Sequence, residues 1–167
     1  TITRGETPLI ESDLDILVKS GVSSGNLKAV STPEPADVFL ISVPTPFKDD
    51  HTPDLSYLEA AINNLAPVIS KGNLIILEST SPVGTTEKIR DWLSSLRSNL
   101  ALPGQDPNPE IFIAHSPERV LPGRVLLELV ENDRVIGGIT PTCARKDRCS
   151  PPPTPLPWRR PPGRWRA

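Results

Sequence analysis

Three short apolar runs, each broken off by prolines and hydroxyls, limit what this chain can fold into. Val38-Phe39-Leu40-Ile41-Ser42-Val43 runs into Pro44-Thr45-Pro46. Asn73-Leu74-Ile75-Ile76-Leu77 runs into Glu78-Ser79-Thr80-Ser81-Pro82-Val83-Gly84. Ile111-Phe112-Ile113-Ala114 runs into His115-Ser116-Pro117-Glu118-Arg119-Val120. Runs without polar alternation belong to strands buried on both faces, as in parallel sheets covered by helices. Proline at each exit bars the ladder and the helix from continuing. In open α/β sheets the ligand lies beyond the carboxyl ends of the strands, where loops and helix N-termini converge. The three exits therefore predict one site at one edge of a sheet.

The segments between these runs carry helical signals. Ser12 caps an expected helix over 12–21, with Leu14, Leu17 and Val18 at helical spacing. Gly25 and Asn26 then turn the chain into an expected strand over 27–31. Asp54 caps a helix to about residue 69, with Leu58, Ala61, Ile62 and Leu65 on one face, and Lys71-Gly72 ends it. Further helices are expected over 85–96 and around 123–130, and a last strand over 134–137. The fold class is α/β: a partial doubly wound, Rossmann-like parallel sheet. Nowhere does the sequence contain G-x-G-x-x-G, so the first β-α-β unit that grips a pyrophosphate is absent from it.

The net charge of −2 conceals an asymmetry. Residues 144–167 hold seven Lys and Arg against Asp147 alone, which leaves 11 basic and 19 acidic residues before them, a net of −8. An acidic body argues against nucleic acid as a partner. No apolar run approaches the roughly 18 residues that cross a bilayer, and no signal peptide is evident, so a cytoplasmic setting is expected. Residues 144–167 also hold seven prolines and two of the three tryptophans. Such a composition builds no core, and a disordered tail is expected there. Cys143 and Cys149 form no zinc motif and read as free thiols outside any structural segment. The chain begins at Thr1 and lacks methionine, which points to a lost or removed start.

Long stretches of the chain resemble one family. ADVFLISVPTPFKDDHTPDLSYLEAA, LIILESTSPVGTTEKI and HSPERVLPGRVLLELVENDRVIGG occur in order, and residues 1–143 together resemble the NAD-binding domain of the UDP-glucose/GDP-mannose dehydrogenase family. The resemblance implies an enzyme that uses NAD to oxidise the C6 alcohol of a nucleotide sugar to a carboxylate. UDP-N-acetyl-D-mannosamine is the nearest substrate, and UDP-glucose, GDP-mannose or UDP-N-acetylglucosamine are alternatives. It implies a homodimer for the intact enzyme, no membrane and no metal.

The resemblance also assigns residues. Pro44 and Thr45 match a loop beside the NAD ribose, and Thr80 matches a threonine near the nicotinamide and the catalytic water. A hydroxyl both donates and accepts, so it orients water without adding charge. Ser79 joins the cofactor-binding set, although residues alone also allow Ser79 and Thr80 to cap the next helix. Glu118 is implied as a catalytic and cofactor-adjacent carboxylate that activates water, a task for which burial tunes such groups. Its alternative is a loop carboxylate paired with Arg119. Arg119, Val120 and Leu121 match a stretch facing the sugar nucleotide, and Arg119 or Arg124 is a candidate for phosphate. His115 reads as structural, and Cys143 does not match the family's nucleophile.

Three departures accompany the resemblance. The glycine fingerprint, the dimerisation helix and the sugar-nucleotide domain with its lysine and cysteine are not found in this sequence. From residue 144 the likeness ends, as it would in an out-of-frame reading or a recombination scar. Two function classes follow: a partial copy of the dehydrogenase, inactive alone, or a non-catalytic remnant that retains NAD binding or pairing.

Overall fold

The computed structural model describes residues 2–7, 14–118, 120, 128 and 132–149. The chain divides into two compact units, residues 1–32 with 119–133 and residues 33–118 with 134–167. In the first unit, a 3-10 turn (Ile2–Arg4) precedes helix α1 (Leu14–Ser23). The strand expected over 27–31 does not form. Instead the Leu27 N–H donates to the Gly21 carbonyl at 2.9 Å, and Gly25 adopts φ 76°. These groups close the end of α1 rather than enter a ladder. The helix expected around 123–130 lies outside the described residues except at Glu128, which is helical and buried.

The second unit is built on a sheet of strands β1 (Val38–Ile41), β2 (Leu74–Leu77), β3 (Phe112–His115) and β4 (Gly137–Gly138), in that order. β1, β2 and β3 are parallel, with Ile41 paired to Leu77 and Leu77 to His115. The last strand is shorter than expected and antiparallel, pairing Ala114 with Gly138. Helices α2 (Ser56–Leu65) and α3 (Thr85–Leu96) connect the parallel strands. α3 occupies the expected span, whereas α2 is shorter at both ends than sequence periodicity suggests. Asp54 still serves the start of α2, since its Oδ1 accepts the Ser56 N–H at 3.0 Å.

Strand alternation sorts the core into two faces. Phe39, Ile41, Ile75, Leu77 and Ile113 pack with Leu58, Ile62 and Leu65 of α2 and Ile89 and Leu93 of α3. Leu74, Ile76 and Ala114 form a smaller cluster on the other face, with Val38 and Phe112 beside it. Helix α4 (Pro141–Cys149) covers part of this second face, where the Lys146 ammonium sits 4.8 Å from the Phe112 ring centroid. Cover stops short of β1: Leu40 is 43% exposed, whereas Ile76 beside it is 6% exposed.

The amino edge of this sheet is held by polar groups. Asn73, itself buried, accepts the Ser70 N–H at 2.7 Å and donates to the Ala36 carbonyl at 2.9 Å. Arg97 donates to the Ala66 and Ile69 carbonyls at 2.6 and 2.7 Å, groups that the end of α2 leaves without helical partners. Glu110 accepts the Ala101 N–H and pairs with Lys71 at 2.5 Å, which holds its carboxyl below the usual range.

α4 runs across the expected junction at residue 144, as far as Cys149. Cys143 and Cys149 thus lie within a helix, and the Cys143 thiol is free and fully buried. Docking of α4 requires a bare backbone opposite. A Cβ added at Gly138 would stand 2.5 Å from the Ala144 nitrogen and 2.9 Å from the Cys143 Cβ. One side chain of α4 fits poorly: Asp147 Oδ2 is buried and has no hydrogen-bond partner among the described residues. Burial pushes the Asp147 pKa up, against the opposing charges of Arg134 and His115.

Two predictions follow from α4. Gly138→Ala should destabilise the chain by about 1–3 kcal/mol through overpacking, measured by urea denaturation. Gly137→Ala, where a Cβ would meet nothing within 4 Å, should cost far less. Asp147→Asn should stabilise the chain at neutral pH. With the folded pKa above the unfolded value, the parent is fully stable below about pH 3.9 and loses stability as pH rises through the folded pKa. The variant's advantage in thermal melts should therefore grow across that window, and an advantage independent of pH would refute the assignment.

Candidate functional site

Parallel pairing in register brings the exits of β1, β2 and β3 to the same edge, as the three broken runs predict. The first polar residues past the strands, Ser42, Glu78 and Ser116, follow the paired Ile41, Leu77 and His115. The Ser42 hydroxyl donates to the Glu78 carboxylate. The Glu78 and Ser79 N–H groups donate to the Ile41 carbonyl at 3.0 and 3.3 Å. The Glu118 N–H reaches the Glu78 carbonyl at 3.4 Å, and the Ser116 N–H reaches the Leu77 carbonyl at 3.0 Å. Glu78 thereby touches the first exit through its side chain and the third through its backbone.

Ser79 and Thr45 tie the first two exits together. The Ser79 hydroxyl accepts the Val43 N–H at 2.7 Å and donates to the Val43 carbonyl at 2.7 Å. The Thr45 hydroxyl donates to the Thr80 carbonyl, also at 2.7 Å. Its hydrogen is thus engaged, so toward a ligand Thr45 can act only as an acceptor. The side chain of Thr80 is exposed, and among the described residues its hydroxyl makes no hydrogen bond. Neither Ser79 nor Thr80 caps α3. That helix starts behind Gly84 at φ 89°, without a side-chain cap, and Thr85 bonds the Pro82 carbonyl of the turn before it. The uncapped N-terminus of α3 also emerges at this edge, where its unpaired N–H groups favour anions.

Glu118 stands beside these loops but is exposed, so the burial expected of it is not supplied by the described residues. Pro44 is exposed on the first exit. Arg119, Leu121 and Arg124 lie outside the described residues, and Val120 belongs to the other compact unit. The Nδ1 of His115 lies 2.8 Å from the Leu77 carbonyl, which can only accept, so Nδ1 carries a proton. Sequence reasoning gave no role to Ser42 or Glu78. The signal was present, since each is the first polar residue after an unbroken apolar stretch, Val38–Ile41 and Leu74–Leu77, and the two stretches align end to end. A separate shallow cleft lined by Gly104, Asp106, Pro107 and Thr142 lies at the opposite edge of the sheet.

The His115 geometry predicts an uncommon tautomer. In two-bond proton–nitrogen NMR correlations at a pH where the ring is neutral, His115 should show Nδ1 protonated and Nε2 bare. The reverse pattern would remove the Leu77 hydrogen bond.

Known proteins resemble the chain over most of its length. Residues 1–149 match the model of the UDP-glucose/GDP-mannose dehydrogenase family, NAD binding domain. The chain is 58% identical over 145 residues to an NDP-N-acetyl-D-galactosaminuronic acid dehydrogenase of Ralstonia nicotianae, covering 86% of this chain and 34% of that protein. It is 54% identical over 147 residues to a UDP-N-acetyl-D-mannosamine dehydrogenase of Escherichia coli, covering 87% of this chain and 35% of the relative. Among solved structures it resembles a UDP-D-ManNAc dehydrogenase from Pyrococcus horikoshii, with TM-score 0.79 and 41% identity, over 88% of this chain and 34% of the other. The chain spans about a third of the length of these relatives.

Proposed function

The chain belongs to the UDP-glucose/GDP-mannose dehydrogenase family, through the domain that binds NAD, and from this premise we propose that it carries the nicotinamide side of a nucleotide-sugar 6-dehydrogenase. The whole enzyme oxidises UDP-N-acetyl-D-mannosamine at C6 to UDP-N-acetyl-D-mannosaminuronate. The single observation that carries this reading is the meeting of the strand exits at one edge, with the Thr80 hydroxyl exposed there and making no hydrogen bond among the described residues. The exposed Pro44, the acceptor oxygen of Thr45 and the uncapped start of α3 fit the ribose and nicotinamide end of NAD.

Conversion of an alcohol to an acid removes four electrons as two hydrides, and NAD accepts a hydride when bound. This chain's residues handle water and protons. Thr80 holds the water that releases the acid, accepting one hydrogen bond and donating another. Glu118 takes a proton from that water, which makes the oxygen a better nucleophile. Arg119, Val120 and Leu121 contact the sugar nucleotide. In the same reading the whole enzyme is a cytoplasmic homodimer that makes a precursor of surface polysaccharide.

By itself the chain should form no NADH from UDP-N-acetyl-D-mannosamine, since neither the nucleophilic cysteine nor the pyrophosphate loop of the resemblance is in its sequence. It should nevertheless bind the nicotinamide half of the cofactor. In titrations followed by amide NMR, nicotinamide mononucleotide should shift residues 42–46, 78–84 and 115–118, while adenosine monophosphate should not displace it. Shifts confined to other regions would overturn the assignment of the site. Turnover by the purified chain would overturn the assignment of the missing groups.

A further inference from the structure

We propose that Ser79 is a positioning residue rather than a cofactor ligand: its hydroxyl clamps Val43, and through Thr45 that clamp fixes the peptide group bearing Thr80. The inference rests on the reading above that Thr80 faces the cofactor and water.

The valences of the Ser79 hydroxyl lead to this assignment. A serine hydroxyl has one hydrogen to donate and two lone pairs to accept with. At Ser79 the hydrogen goes to the Val43 carbonyl at 2.7 Å and one lone pair takes the Val43 N–H at 2.7 Å. β1 ends at Ile41, so the strand ladder no longer serves the backbone groups of Val43. A single hydroxyl replaces the missing neighbour strand for both of them. The Ile41 carbonyl, 3.5 Å away, is a weaker alternative acceptor.

Rigid chain carries that constraint onward. Val43 precedes Pro44, which restricts it to extended conformations, and Thr45 precedes Pro46 in the same way. Pro44 fixes its own φ. Once Val43 is pinned, few torsions remain to move Thr45, whose hydroxyl holds the Thr80 carbonyl at 2.7 Å. Ser79 is joined to Thr80 by the chain, so the contacts close a ring: Ser79 to Val43, along Pro44 to Thr45, across to Thr80. The ring orients the Thr80 peptide while its own hydroxyl stays clear of the ring. Alanine at residue 79 would leave both Val43 groups without this partner, whereas threonine would keep one donor and the same acceptor.

Amide exchange, backbone relaxation and nicotinamide mononucleotide affinity in the purified chain test this, using Ser79→Ala, Ser79→Thr and the core variant Ile62→Val. In Ser79→Ala, exchange of the Val43 amide should quicken by roughly tenfold, the loss of one net hydrogen bond. The order parameter of the Ser81 N–H, which shares its peptide plane with the Thr80 carbonyl, should fall from about 0.85 toward 0.6. Nicotinamide mononucleotide should bind several-fold more weakly. Ser79→Thr should restore all three, and Ile62→Val should lower thermal stability without moving the Ser81 order parameter.

A Ser81 order parameter unchanged in Ser79→Ala would overturn the inference, as would unchanged affinity alongside a faster Val43 amide. If the parent binds no nicotinamide mononucleotide, the functional reading fails separately. The relaxation data then still decide whether Ser79 orients the Thr80 peptide.

Discussion

The site depends on the register of three parallel strands. Because Ile41 lies beside Leu77 and Leu77 beside His115, the three exits begin at one level and their first polar residues can meet. A slip of one residue would turn Phe39 and Ile41, or Ile75 and Leu77, out of the helix-covered core. The register is therefore enforced by apolar burial. It is also fixed from the opposite edge, where Asn73 holds the Ala36 carbonyl and the Gly72 N–H donates to the Glu110 carbonyl at 2.6 Å. Polar contacts at the start of the strands thus help place the hydroxyls at their ends.

The two faces of the sheet are unequally finished. The face under α2 and α3 is filled by large aliphatic side chains, several of them fully buried. The other face relies on α4, which Gly138 admits to close range and which brings in Asp147 with a buried oxygen that has no partner among the described residues. Backbone fit and side-chain fit disagree within one helix, a local conflict of the kind that folded sequences tend to avoid. The conflict falls where the composition changes from acidic to basic. Cys143, on the earlier turn of the same helix, packs without exposure and bonds Thr140.

Much of this was legible in the sequence, for identifiable reasons. Runs of consecutive apolar residues announced strands buried on both faces, and proline marked where each one stopped. α3 was legible to its bounds because Gly84 and the periodic Ile89 and Leu93 delimit it. The region 27–31 misled because β-branched and apolar residues there carry a strand propensity that the Leu27 to Gly21 hydrogen bond overrides. The antiparallel sense of β4 was also hidden, since nothing in a pair of glycines states a direction. α4 was missed because its charged, cysteine-bearing sequence lacks a clear apolar stripe, and its docking depends on an absent Cβ at Gly138.

The hardest thing to read from residue types was which hydroxyl serves the fold and which is left for chemistry. Ser42, Thr45, Ser79, Thr80 and Thr85 are alike in composition and lie near or within the same loops. Four of them are engaged: Ser42 by Glu78, Thr45 by the Thr80 carbonyl, Ser79 by Val43 and Thr85 by Pro82. Only the spatial pairing of β1 with β2 makes three of these bonds possible, since their partners lie more than thirty residues apart in sequence. The Thr80 hydroxyl differs from these four: it is exposed, and among the described residues it makes no hydrogen bond. A group that needs to bind water or cofactor without rearranging is best left unengaged on a rigid support, because ordering it then costs little when the ligand arrives. Engaged hydroxyls around a spare one are the physical form that such preorganisation takes in this chain.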